Sequence, residues 1–470
     1  MGLCPNRLPR IKGGLPVSAS RHTLDMTTGS PAKLLLRFSL PLFVGNLLQQ
    51  FYNLVDTAMA GHLLGDAALS QIGSTAALYS LITTLAFGLN SGFALNVSRH
   101  FGSGDKRNME RAVCWMVTLS ALCALVMTTV FFSARFWLVT AMQIPADTRD
   151  GALRYLTVIL AGIPLTMAYN LESSMMQSVG NSVTPLLFLI FSSLLNVALD
   201  YLFMGPFSLG VGGAAAATIL AQGISALLGL FYILRSEPDL HFHRDAVRVP
   251  RRFASDMFLT GLSMALMSAI YSIGSVLLQG SINALGNVYI AAQVGGRRLA
   301  ELFYMPGVAL GASTATYSSQ NFGAGKRSRI RQGERVALAI YGVWWLFALA
   351  FTFTPLAPAA IRLLTGSENP EVLSSAHLYL RVSIPLVPPM AVVVVVRNAL
   401  QGMKHTVAPL FCSALELICK AVFAAWFVPH FGYPAVCACE PTAWVICMFF
   451  ILGAAHLFRN DFKDIQEAQP

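Results

Sequence analysis

Long apolar runs punctuated by Pro, Gly and charge dominate the chain. A membrane-spanning helix needs about 20 apolar residues, and the sequence supplies twelve such blocks. The first six are 34–61, 67–97, 112–134, 152–177, 183–204 and 211–234. The second six are 256–280, 286–318, 334–358, 373–401, 406–428 and 435–458. Blocks 67–97 and 286–318 are long enough to tilt or to extend past the bilayer. Prolines recur inside spans (Pro41, Pro164, Pro306, Pro385 and the pair Pro388-Pro389), and they predict bent helices around a cavity.

The chain repeats itself. Phe101-Gly102-Ser103-Gly104 returns as Phe322-Gly323-Ala324-Gly325, each followed by a basic pair, Lys106-Arg107 and Lys326-Arg327. Gln71-Ile72-Gly73 returns as Gln293-Val294-Gly295, and Gln177, Val183, Pro185 and Leu186 return as Gln401, Val407, Pro409 and Leu410. The offset is 221 to 224 residues throughout. Six helices per copy bring the second copy in from the same side as the first, which predicts a parallel repeat. The fold class expected is all-α and integral to the membrane, with twelve transmembrane helices in two six-helix bundles. Residues 1–30 form an N-terminal tail, 31–234 the first lobe, 235–255 a linker that lets the lobes rock, 256–458 the second lobe and 459–470 a C-terminal tail.

Composition agrees. Of 470 residues 55% are hydrophobic and 11% charged, with a mean hydropathy of +0.61; a soluble domain is about 25% charged. The net charge of +10 would suit nucleic acid, but Lys and Arg fall in short clusters between apolar blocks, as topology signals do. With the N-terminus inside, the inner loops hold Arg99, Lys106, Arg107 and Arg111, then Arg235, Arg244, Arg248, Arg251 and Arg252, then Lys326, Arg327, Arg329, Arg331 and Arg335. The outer loops offer little beyond Arg135, Arg149, Arg154 and Arg362. Both termini are therefore expected in the cytosol. The first 30 residues, with Arg7, Arg10, Lys12 and Arg21, lack the apolar core and cleavage pattern of a signal peptide. The eight Cys read as buried free thiols, and Cys437-Ala-Cys439 has no second pair or His to complete a metal site.

Intramembrane acids are costly and usually functional, which makes Asp56 the centre of the reading. It lies 19 residues beyond Arg37, about 28 Å along the helix. Asp200 stands about 22 Å up from Pro185, with Asn196 one turn below it on the same face. Thr218 is about 9 Å below the start of the next helix. The four converge at one depth in the first lobe. Two carboxylates, an amide and a hydroxyl there can share a proton or give hard oxygen ligands to Na⁺. Gln49, Tyr52 and Asn53 beside them are candidates for the substrate cavity or gate, with Glu301 and Glu416 of the second lobe. Glu301 follows Arg297 and Arg298 by four and three residues, a spacing that suits a structural ion pair, and Glu416 with Lys420 is an i,i+4 pair that neutralises itself. Arg397 is the remaining ionisable group singled out there, and Glu172 in the first lobe suits a gate or interface. The Phe-Gly-x-Gly loops lack a following Gly-Lys-Ser/Thr, so they are turns and not nucleotide loops. No ATP-binding partner, nucleic acid or other cofactor is expected.

The run Gln50-Phe51-Tyr52-Asn53-Leu54-Val55-Asp56-Thr57-Ala58-Met59-Ala60-Gly61, with Leu64-Gly65 and Ala67-Ala68, resembles the first helix of the multidrug and toxic compound extrusion (MATE) family of multidrug/cation antiporters, prokaryotic type. The paired Phe-Gly-x-Gly loops and the contexts of Pro306 and Pro409 are similar too. The resemblance implies a secondary antiporter, not an enzyme, that exports cationic or amphipathic small molecules in exchange for H⁺ or Na⁺ by alternating access. It implies a bacterial inner-membrane protein, here expected to be a monomer. It assigns ion coupling to Asp56, to the Asn-x-x-x-Asp of Asn196 and Asp200, and to Thr218 of Gly213-Ala214-Ala215-Ala216-Ala217-Thr218. Members with an acid in the seventh helix couple partly through the second lobe; Thr260 to Gly280 holds none, which favours coupling through the first lobe alone. The wider family includes flippases and exporters of lipid-linked or flavin-like compounds, the alternative reading.

Overall fold

The computed structural model describes residues 22–462 apart from 244, 245 and 247. Arg7, Arg10, Lys12, Arg21 and Arg244, with the last eight residues of the expected C-terminal tail, lie outside the described residues. Helices α1 (Pro31–Leu64), α2 (Asp66–Ser103), α3 (Lys106–Ala141), α4 (Ala146–Ala161), α5 (Ile163–Ser178), α6 (Val183–Met204) and α7 (Gly210–Ser236) build the first lobe. The second is built from α8 (Arg251–Ala284), α9 (Asn287–Gly323), α10 (Arg327–Thr352), α11 (Leu356–Thr365), α12 (Pro370–Ser383), α13 (Val387–Gly402), α14 (Val407–Val422), α15 (Val428–Phe431) and α16 (Tyr433–Leu457).

Among the described residues ten helical stretches are long and apolar enough to cross a membrane, and the bent pair α4–α5 makes an eleventh. The protein is an all-α, multi-pass membrane protein. Where the helices break, the breaks follow backbone chemistry. Ile163-Pro164 opens α5 after Gly162, and the two halves meet at 48°. Block 373–401 is likewise two helices, α12 and α13, parted at the turn that carries Pro385 with Pro388 and Pro389 just beyond. Each proline withholds a donor and crowds the preceding turn. Pro41 and Pro306, in contrast, sit inside unbroken α1 and α9. Block 334–358 ends early, at Thr352, and the chain restarts as α11 after Pro355.

The lobes meet at the end of the bundle that carries the basic loops. There α2 crosses α8 and α9 with almost no side chain between backbones. A Cβ on Gly88 would fall 2.7 Å from Ala265 Cα, and one on Gly92 would fall 2.5 Å from Gly261 Cα. Gly88 and Gly92 on α2, and Gly261 and Ala265 on α8, are each spaced i,i+4, the small-residue stripe that lets membrane helices approach closely. Nearer the loops, Gly102 leaves no room for a Cβ against Gln320, and Gly323 leaves none against Arg99. Ser98 donates to Thr316 O at 3.3 Å and Ser319 donates to Leu95 O at 2.6 Å. Arg99, buried here, donates to Asn96 Oδ1 at 3.0 Å and to Gly402 O at 3.2 Å.

Residues 24–29 cross the same seam as a strap that turns at 26–29. Leu24 N donates to Val179 O (3.2 Å) and Met26 N to Gln320 Oε1 (2.9 Å), while Gln320 Nε2 donates on to Ser178 O (3.2 Å). Asn321 Nδ2 reaches Met26 O at 3.0 Å, Lys326 Nζ reaches Thr27 O at 2.9 Å, and Arg329 reaches Gly29 O at 2.9 Å. Met26 is wholly buried among Leu35, Phe38, Tyr317 and Val395. The first part of the 235–255 connector is also docked rather than free: Leu240 is buried against the first lobe, and Cys114 Sγ donates to His243 O at 3.0 Å. The seven described cysteines are free.

Candidate functional site

Helix α6 turns Ser192, Asn196 and Asp200 inward at four-residue spacing, while the Leu and Phe positions between them are at most partly buried. Asp200 is wholly buried and Asn196 nearly so. With its amide nitrogen toward the carboxylate, Asn196 donates to Asp200 Oδ2 at 2.7 Å and accepts from Thr218 N at 3.1 Å. Thr218 Oγ1 donates to Ala214 O at 3.1 Å, back along α7. The small residues Gly213 to Ala217 let α7 lie close enough to α6 for this contact.

Helix α1 brings Asp56 to the same point. Its carboxyl stands beside that of Asp200. Two carboxyls can bond to one another only when a proton sits between them, and repel otherwise. Asp56 Oδ1 and Asp200 Oδ1 are both buried without a donor. The residues thus present acceptors and lack a positive partner, which fits a proton or a bare monovalent cation. Among the described residues no group of three or more His, Cys, Asp or Glu could hold a metal ion.

Gln49 and Tyr52 line a 30 Å³ pocket next to Asn196 and Thr218, bounded by Tyr169 and Gln222; that is room enough to hold water. Asn53 stays outside it and accepts from Gln49 Nε2 at 3.5 Å on an exposed face. Tyr52 and Tyr155 stand close enough to feel the field of both carboxylates, and Tyr79 that of Asp56. The sequence reading singled out Tyr52 but not Tyr79, Tyr155 or Gln222, which only the crossing of α2, α4 and α7 gathers.

The second lobe sorts its charges differently. Glu301 pairs with Arg297 at 3.0 Å and Glu416 with Lys420 at 3.1 Å, as their spacings suggested. Neither stands with Asp56. Both pairs lead to a residue the sequence reading passed over, Glu440 on α16, which lies 3.5 Å from Arg297 and 3.6 Å from Lys420 and accepts from Tyr379 Oη at 3.0 Å. Lys420 is 1% exposed and rests over the Tyr271 ring at 4.0 Å. The signal was an acid beside Pro441 within an otherwise apolar block. Glu172 is buried against Gly229 of α7, and Arg397 forms no ion pair with any described carboxylate.

Two helical lobes around a cleft, with lone carboxylates inside one of them, define a polytopic membrane transporter. The MatE family profile matches residues 41–202 and 263–426, more than half of the chain, and the chain belongs to the MatE family. It is similar to the probable multidrug resistance protein YpnP of Bacillus subtilis, at 29% identity over 65% of this chain and 68% of that protein. An FAD transporter of Shewanella oneidensis is 24% identical over 82% of this chain and 85% of its own. An outward-facing multidrug resistance MATE transporter of the MOP superfamily superposes with a TM-score of 0.86 at 21% identity, covering 95% of this chain and 99% of that one. The protein is accordingly a secondary active antiporter of the multidrug/cation class and not an enzyme.

Proposed function

We propose that this chain exports cationic or amphipathic small molecules across a bacterial inner membrane in exchange for H⁺ or Na⁺, working as a monomer of twelve spanning helices. The observation that carries the coupling site is the Asp56–Asp200 pair, with two buried oxygens lacking donors. A cation entering there cancels the repulsion and lets α1 close toward α6, which narrows the pocket beside Gln49 and Tyr52 and displaces substrate. Only a cation that binds the two states unequally can drive that shift.

The parallel relation of the lobes finds support at the seam. Gly102 packs on Gln320 and Gly323 on Arg99, and each contact becomes the other when 221 is added to the first-lobe number, as a two-fold axis along the membrane normal requires. By the positive-inside rule the basic end is cytosolic, so the sealed end faces the cytosol and the state described is open outward. The cytosolic tails follow from the same orientation.

The test is substrate efflux from proteoliposomes with the pH and Na⁺ gradients imposed separately, for wild type and Asp56→Asn. Efflux driven by one gradient and lost in the variant names the ion and its carrier. Gradient-driven efflux that survives in Asp56→Asn sinks the first-lobe site and moves attention to Glu301, Glu416 and Glu440. The similarity to an FAD transporter favours a second reading, export of flavin-like or lipid-linked compounds, and the same vesicles loaded with flavin test it.

A further inference from the structure

A cavity of 260 Å³ lies between the lobes, just beyond the α2–α8 crossing, and is walled by α2, α5, α8, α9 and α13. Its apolar side is built by Phe87, Met264 and Val308 and its polar side by Ser174, Gln177 and Asn398. One charged residue lines it, Arg397, and no acid does.

Arg397 is unusual in its company. Two other cations within the helices of the second lobe, Arg297 and Lys420, are each tied to carboxylates within 4 Å, and Arg298 and Arg381, which have none in that range, are exposed. Arg397 has no carboxylate in that range, and its Nε is buried without a hydrogen-bond partner. The amides beside it are spent on the protein: Asn398 Nδ2 donates to Val394 O at 2.8 Å and Gln401 Nε2 lies 3.0 Å from Met267 Sδ. Glu172, the acid of the adjoining α5, turns away to Gly229. An unpaired guanidinium inside a membrane protein is costly, and its fork of donors matches an oxyanion bidentately.

We propose that this cavity receives the acidic group of an amphipathic anion, a carboxylate or a phosphate ester on an apolar body, with Arg397 as the oxyanion-binding residue. The inference rests on the export reading above and names one substrate class for it, alongside the cations that the family transports. At 260 Å³ the cavity takes the headgroup and one ring or short chain; the rest of a larger substrate extends into the cleft.

The experiment is titration of the purified full chain with 1-pyrenebutyrate, 4-methylumbelliferyl phosphate and ethidium, for wild type, Arg397→Gln and Arg397→Lys. Binding of either anion that weakens by about tenfold or more in Arg397→Gln supports the site, with partial recovery in Arg397→Lys, and the two anions separate carboxylate from phosphate. Ethidium should bind Arg397→Gln more tightly, since a repelling charge is gone. Anion affinity equal in wild type and Arg397→Gln, no anion binding to wild type, or an equal loss for ethidium each overturns the proposal, the last by marking Arg397 as a structural group. Gradient-driven ethidium efflux by wild type is read separately, so failure of export and failure of the anion site are told apart.

Discussion

The glycine crossing of α2 and α8 gives the sharpest test of how the transporter changes state. Replacing Gly92 by Ala puts a Cβ 2.5 Å from Gly261 Cα, where ordinary carbon contacts are about 3.5 to 4.0 Å. Helices α2 and α8 must part by about 1 Å to accept it, and backbone rather than a pliable side chain has to give. Overpacking of this kind costs about 1–3 kcal/mol. The cost falls on the state in which α2 and α8 touch and is absent when the seam opens. At about 1.4 kcal/mol per tenfold, the equilibrium moves roughly 5- to 150-fold toward the opened seam. Spin labels at positions 107 and 332, both exposed and one on each lobe at the basic end, in a background with native cysteines replaced, report the separation. The expected result is a new, longer distance population in Gly92→Ala, larger still in Gly92→Leu, with efflux slowed. An unchanged distance distribution in both correctly folded variants would refute the reasoning, because the glycine stripe would then not hold the seam closed.

Two further outcomes follow from the second lobe. Glu440→Gln leaves Lys420 and Arg297 facing a neutral amide in a buried site, a loss of about 3–5 kcal/mol that should lower the melting temperature followed by size-exclusion fluorescence; equal melting would show that Glu301 and Glu416 suffice. His405, in the turn after α13, stacks on Phe458 at 3.9 Å and meets Asp461 Oδ2 at 3.0 Å. Burial holds its pKa below the ordinary 6.5 despite the pull of Asp461. The unfolded chain therefore takes up the proton first as pH falls, and stability should decline below about pH 6.5. His405→Phe, which keeps the stack, should flatten that decline, and a slope unchanged by the substitution would assign the pH response elsewhere.

The carboxylates of the first lobe were legible because each is a lone polar residue in an apolar run, so rise per residue alone sets its depth. Asp56, Asn196, Asp200 and Thr218 needed no knowledge of tertiary packing to be placed at one level. Glu440 obeys the same logic yet lay hidden, since its partner Arg297 is on α9 and pairing rules confined to one helix cannot reach it. The Gly88–Gly92 and Gly261–Ala265 stripes are visible as spacings, but nothing local says that they face each other. Residues 22–30 read as a polar tail because their partners are a backbone carbonyl, the amides of Gln320 and Asn321 and the cationic ends of Lys326 and Arg329, which leave no periodic mark. The break between α12 and α13 was signalled by its prolines, whereas Pro306 carries the same signal and breaks nothing.

The strap also has a history within each molecule. Met26, Thr27 and Gly29 bond to groups 294 to 303 residues further along. At ordinary elongation rates of about 5–20 residues per second, about 15 to 60 s separate their synthesis from that of their partners. During that interval the first lobe is inserted while its basic end lacks the cover that Met26 and its neighbours later provide. The earliest described segment to leave the ribosome thus waits for partners at the end of α9 and the start of α10, and its docking marks those as made and in place.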